Sequence, residues 1–107
     1  MGEFLYGTPP IAVTFDDREL AHLQVVMLAK FRRGESFVFS WGYEVASVNG
    51  NSSVWLNPAI PFQFVSSGLR GGRLNKAWLE ALIKLANSPS GLRLEPEPTE
   101  VIDASTG

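Results

Sequence analysis

The stretch from Phe15 to Trp41 constrains the fold of this chain more than any other. Asp16 stands where a helix cap is wanted, and Glu19 follows three residues later, the spacing of a capping box. Leu20, Leu23, Met27 and Phe31 then recur at helical spacing, which predicts one core-facing stripe. Lys30, Arg32 and Arg33 crowd the last turn, where the helix dipole favours cations, and Gly34 supplies the stop. From Ser36 to Trp41 the period changes to two, with Phe37, Phe39 and Trp41 on one side and Val38 and Ser40 on the other. A capped helix running straight into a strand with an aromatic face predicts a helix laid on a sheet.

The rest of the chain extends that plan. Glu3–Tyr6 and Ile11–Phe15 read as a hairpin joined by Gly7-Thr8-Pro9-Pro10. Gly42 to Asn51 reads as a loop carrying Asn49-Gly50. Ser52–Leu56 and Phe62–Val65 read as strands, turned by Asn57-Pro58. Val54 and Leu56 face inward in this reading, and Trp55 faces outward. Asn75 is placed to cap a second helix ending near Asn87, apolar around most of its circumference, with a narrow stripe of Lys76, Glu80 and Lys84. Leu92–Glu95 reads as a last strand. The order ββαβββαβ predicts an α+β two-layer sandwich, an antiparallel sheet with two helices on one face. Residues 1–95 form a single domain in this reading. Residues 96–107 are acidic and proline-containing, a composition that predicts disorder.

Composition excludes several classes of function. A chain of 107 residues makes one domain, and with no Cys it has neither disulfides nor thiol chemistry. No apolar run approaches the roughly 20 residues that span a bilayer. No basic segment precedes an apolar run at the N-terminus, so the expectation is a cytoplasmic protein without a signal peptide or a membrane partner. Between Asp16 and Arg93 nine basic side chains stand against six acidic ones, and Glu95, Glu97, Glu100 and Asp103 follow. A mildly basic body with an acidic tail is compatible with an anionic partner.

Candidate sites are few. His22 is the single histidine, and no local signature of a triad surrounds it, so it reads as solvated or locally bonded. Asp16-Asp17 has a capping duty that competes with a metal role. Glu95 and Glu97 resemble paired acids but adjoin a proline-rich tail. No catalytic residue, metal ligand or cofactor site is therefore assigned. The loop Ser66-Ser67-Gly68-Leu69-Arg70-Gly71-Gly72-Arg73 could cradle a phosphate at the start of the second helix, although it matches neither the P-loop nor the dinucleotide pattern. The expected nucleic-acid set is Arg32, Arg33, Arg70, Arg73 and Lys76 on phosphates, with Trp55 stacking on a base. The alternative is a protein partner or a homodimer, anchored by Trp55 or by the apolar second helix.

The pieces Phe4-Leu5-Tyr6-Gly7, Phe15-Asp16-Asp17-Arg18, Leu20-Ala21-His22-Leu23, Arg32-Arg33-Gly34-Glu35-Ser36-Phe37, Phe39-Ser40-Trp41, Ser52-Ser53-Val54-Trp55-Leu56 and Pro96-Glu97-Pro98 occur in this order. In that order they resemble a family of roughly hundred-residue actinobacterial proteins of unknown function, many labelled "ATP-dependent DNA ligase". The resemblance runs from Gly2 to about Pro98 and departs in the loops at Tyr43–Asn51 and Gly68–Gly72. It implies an accessory, ligase-linked module rather than a ligase. A nucleotidyl-transferring lysine needs a Lys-x-Asp-Gly setting, and Lys30-Phe31-Arg32, Lys76-Ala77-Trp78 and Lys84-Leu85-Ala86 do not provide one.

Overall fold

The computed structural model describes residues 1–45, 48–66 and 73–99. It is an α+β fold in the expected order: β1 (Gly2–Tyr6), β2 (Ile11–Phe15), α1 (Asp17–Arg32), β3 (Phe37–Val45), β4 (Val48–Leu56), β5 (Phe62–Val65), α2 (Lys76–Ala86) and β6 (Leu92–Arg93). Where one antiparallel sheet is expected, the strands divide into two three-stranded sheets, β2-β1-β5 and β4-β3-β6. The first is antiparallel throughout. In the second, β3 pairs antiparallel with β4 but parallel with β6. Parallel pairing needs a long crossover, which here includes β4, β5 and α2.

Local chemistry sets the helix ends. Asp16 and Glu19 form the capping box, with the Asp16 N–H donating to Glu19 Oε1 at 3.2 Å. At the other end Gly34 adopts φ +70°, and the Gly34 and Glu35 amides donate to the Phe31 and Lys30 carbonyls at 2.9 and 3.1 Å. That pair of bonds is a Schellman closure, which a left-handed glycine permits. The predicted loop at Gly42–Asn51 is a correction: both flanks belong to a long hairpin, and Asn49 and Gly50 lie inside β4, paired with Glu44 and Tyr43. Continuing the ladder satisfies the backbone whatever the low strand propensity of Asn and Gly.

Aromatic rings join the two sheets beneath the helices. Phe31 of α1 lies 5.6 Å from Phe37 and 4.6 Å from Phe62, one ring from each sheet. Phe15 of the first sheet lies 6.0 Å from Phe39 and 6.4 Å from Trp41 of the second. A polar staple adds to this: the Tyr6 hydroxyl donates to the Trp55 carbonyl at 3.1 Å and accepts from the Asn57 amide at 2.8 Å. Leu23, Val26, Met27, Phe39, Leu56, Leu82 and Leu92 fill the centre.

The helices run side by side in one direction. The Arg18 guanidinium reaches the Arg73 carbonyl at 2.8 Å just ahead of α2, and Lys30 Nζ reaches Asn87 Oδ1 at 2.9 Å just beyond it. Helix α1 therefore has two buried faces, one on the sheets and one on α2. No helix among the described residues is long and apolar enough to cross a membrane.

Candidate functional site

Two surfaces carry the polar and aromatic groups of interest. The first is a notch at the N-terminal ends of the helices, and of the two expectations for His22, solvated or locally bonded, it shows the bonded one. The imidazole is completely buried. Its Nδ1–H donates to the Arg18 carbonyl at 2.7 Å, and its Nε2 accepts the Asn75 backbone N–H at 2.8 Å. Only the neutral ring with its proton on Nδ1 satisfies both partners. The ring also lies 4.4 Å from that of Trp78. His22 is thus a structural tie between α1 and α2, with no nitrogen left for a nucleophile or a metal.

Asn75, 1% exposed, extends this tie. Its Oδ1 accepts from the Trp78 amide at 3.2 Å, which caps α2 as expected. Its Nδ2 donates to Glu97 Oε2 at 2.9 Å and to the Pro98 carbonyl at 3.0 Å. Arg18 grips the same carboxylate with two bonds of 2.7 Å, and the Trp78 indole N–H donates to the Glu95 carbonyl at 3.1 Å. The hydrogen bonds from Arg18 and then Asn75 hold the Glu97 carboxyl down to about 2. Residues 96–99 of the expected tail are thus described, with Glu97 and Pro98 bound to the helices, and residues 100–107 lie outside the described residues. Glu97 is bound as a structural anion by Arg18 and Asn75. Asp17 is engaged too, with the N-terminal ammonium 3.2 Å from its Oδ2.

The second surface is the outer face of the β4-β3-β6 sheet. Trp55 stands on it, 59% exposed, as the alternation predicts. Register places Val38 beside it, with Ser53, Ser40 and Arg93 in the next row. Ser40 and Ser53 share a 3.0 Å hydroxyl contact, and Arg93 Nη2 donates to Asn51 Oδ1 at 3.3 Å. Arg93 lies outside the expected set: the strand expected over Leu92–Glu95 is limited to Leu92–Arg93, and its parallel pairing with β3 brings Arg93 beside Ser40.

The described members of the expected nucleic-acid set lie apart from one another. Arg73 and Lys76 lie together at the start of α2 and are exposed. Arg32 and Arg33 are exposed at the far end of α1, about 20 Å away at a helical rise of ~1.5 Å per residue. Arg33 also faces Glu35 at 3.5 Å. Trp55 lies on the sheet face turned away from both helix ends. Arg70 and most of the glycine-rich loop, residues 67–72, lie outside the described residues.

Among the described residues no group of three or more His, Asp or Glu side chains could hold a metal ion. A depression of about 160 Å³ lined by Leu5, Gly7, Pro10, Pro61, Phe62 and Gln63 brings no titratable side chain together. The chain belongs to the family described as a domain of unknown function, DUF7882, whose profile matches residues 1–97. No curated protein and no solved structure matches it.

Proposed function

For this member of a domain family with no assigned function, we propose a non-catalytic accessory role in which the outer face of the β4-β3-β6 sheet contacts single-stranded nucleic acid. The observation that carries this reading is Trp55, an exposed indole among Ser40, Ser53, Asn51 and Arg93. A flat ring on a sheet stacks with a base regardless of sequence, and hydroxyls, amides and one guanidinium beside it suit a sugar-phosphate backbone. Phosphate contact on this face falls to Arg93. Arg32, Arg33, Arg73 and Lys76 serve only a longer strand that wraps round to the helices. The missing Lys-x-Asp-Gly setting supports an accessory to a nucleic-acid enzyme over a ligase.

A fluorescein-labelled oligothymidylate titrated with the full chain at low salt tests this. Binding should weaken as salt rises, and Trp55→Ala should weaken it about tenfold, the scale of one lost stacking contact. An affinity untouched by Trp55→Ala, or no binding at low salt, refutes it.

The low charge of that face favours a second reading, a docking surface for a protein partner or a second copy, with Trp55 as the anchor. Sedimentation of the full chain separates the two. A dimer lost in Trp55→Ala supports self-association. A monomer that binds the oligonucleotide supports the first reading. On α2, Trp78, Leu82 and Ala86 are buried in the fold, whereas Ile83 stays exposed and could add to such a surface.

A further inference from the structure

Glu95 to Pro98 cross the helix ends in a way that resembles a bound ligand more than a folded element. The hydrogen bonds on the segment come from three side chains of the helical layer. Trp78 donates to the Glu95 carbonyl, Asn75 to the Pro98 carbonyl, and Arg18 with Asn75 to the Glu97 carboxylate between them. Pro96 and Pro98 have no N–H to satisfy and favour an extended backbone. An indole N–H aimed at the carbonyl of an extended, proline-bearing segment, beside a cationic fork for a carboxylate, combines two recurring modes of peptide recognition.

The receiving side is held without the segment. Asn75 is fixed by its bond to the Trp78 amide and by its own N–H on His22, and His22 in turn is bonded to the Arg18 carbonyl. Trp78 rests on the His22 ring. The Arg18 guanidinium has its own tie, Nη1 to the Arg73 carbonyl at 2.8 Å, so with residues 95–98 removed these bonds remain and the donors point at the vacated position. A site whose donors are ordered by bonds of their own binds with less entropy loss than one shaped by its ligand.

We propose that this notch is a recognition site for an extended Pro-Glu-Pro peptide, which the chain fills in cis with its own Glu95–Pro98 and which accepts the same chemistry in trans. The cis segment competes at an effective concentration in the millimolar range, so the site is closed to outside peptide until the segment is loosened. Loosening it removes no core residue, because the chain is anchored ahead of it by Leu92, buried against Phe39, and by the Leu94 amide on the Ser40 carbonyl at 3.2 Å.

The probe is a fluorescein-labelled peptide of sequence Arg93 to Thr99, with a control in which Gln replaces the glutamate matching Glu97. The full chain carrying Glu97→Ala should bind the probe at least about tenfold more tightly than the wild-type chain, by anisotropy. The Gln control should bind that variant roughly tenfold less tightly, and adding Arg18→Ala should remove binding. Two results overturn the proposal: a folded Glu97→Ala chain that takes neither peptide at millimolar concentration, or one that takes both equally. Should Glu97→Ala unfold the domain, the wild-type chain still decides. Its Trp78 indole resonance must shift with millimolar probe, and an unmoved resonance overturns the site. Sedimentation then distinguishes the sources: a dimer dissociated by the peptide assigns the trans segment to a second copy, and a peptide-binding monomer assigns it to another protein.

Discussion

Asn75 does two jobs that a pair of substitutions can separate. Asn75→Ala removes both. The α2 cap is lost, at about 1 kcal/mol. The Pro98 carbonyl loses its donor, and a buried or half-buried polar group without a partner costs about 1–3 kcal/mol. The expected loss is therefore about 2–4 kcal/mol, a large share of the roughly 5–15 kcal/mol that holds a domain of this size. Asn75→Asp keeps a cap of equal quality at the helix start. It also turns a donor into an acceptor, setting a carboxylate against Glu97 Oε2 and the Pro98 carbonyl, which lie 2.9 and 3.0 Å from the present amide nitrogen. If the clamp matters as the geometry implies, the two variants lose comparable stability. Urea unfolding followed by tryptophan fluorescence and far-ultraviolet circular dichroism measures both, with the slope m expected to stay constant. An Asn75→Asp chain within about 0.5 kcal/mol of wild type, beside an Asn75→Ala chain down by about 1 kcal/mol, would show that the cap is the whole effect and refute the clamp.

Other outcomes follow from the contacts of Glu97, Gly91, Gly34 and Trp55. Glu97, held at about 2 against an ordinary 4.5, stabilises the fold fully above pH 4.5 and loses that contribution as the pH falls toward 2. Glu97→Gln should flatten that limb of a urea-midpoint profile, and Glu35, lowered by its hydrogen bond from Lys30, should retain part of it. Gly91 has φ +86°, and a Cβ there would sit 2.5 Å from the Val38 carbonyl oxygen. Gly91→Ala should therefore cost more than about 2 kcal/mol, while Gly34→Ala, at φ +70° with open space around it, should cost only about 1 kcal/mol by the same assay. Trp55→Ala should leave stability within about 0.5 kcal/mol and remove most of the iodide-quenchable emission, leaving the part from half-buried Trp41, because the exposed side chain serves no core contact.

The elements whose signals are local were legible in the sequence. The capping box at Asp16 and Glu19, the left-handed stop at Gly34, the cap at Asn75 and the outward Trp55 each depend on a few neighbouring residues, and each lies where those residues put it. What failed depends on partners remote in the chain. His22, Val26 and Lys30 form the less apolar side of α1 on a helical wheel, yet α2 covers that side and buries His22 and Val26. A helical period reveals a stripe, and a second stripe composed partly of polar residues leaves no trace in it. The all-round apolar α2 was the available hint, since such a helix needs a partner on each side. Glu97 looked like solvated tail for the same reason: its partners Arg18 and Asn75 lie far away in sequence, and proline with glutamate reads as disorder by composition alone. Likewise the split into two sheets follows from β5 choosing β1 rather than its chain neighbour β4, a pairing between residues 3–6 and 62–65 that no local pattern announces.

That long-range closure has a consequence during synthesis. Arg18 waits for a carboxylate 79 residues downstream, a delay of roughly 4–16 s at translation rates of about 5–20 residues per second. For most of that interval, until α2 and β6 are made, the nascent chain holds α1 with one flank uncovered and the second sheet without its last strand. Truncated or stalled products of this gene should therefore emerge sticky and protease-sensitive, and the finished chain should become resistant in one late step.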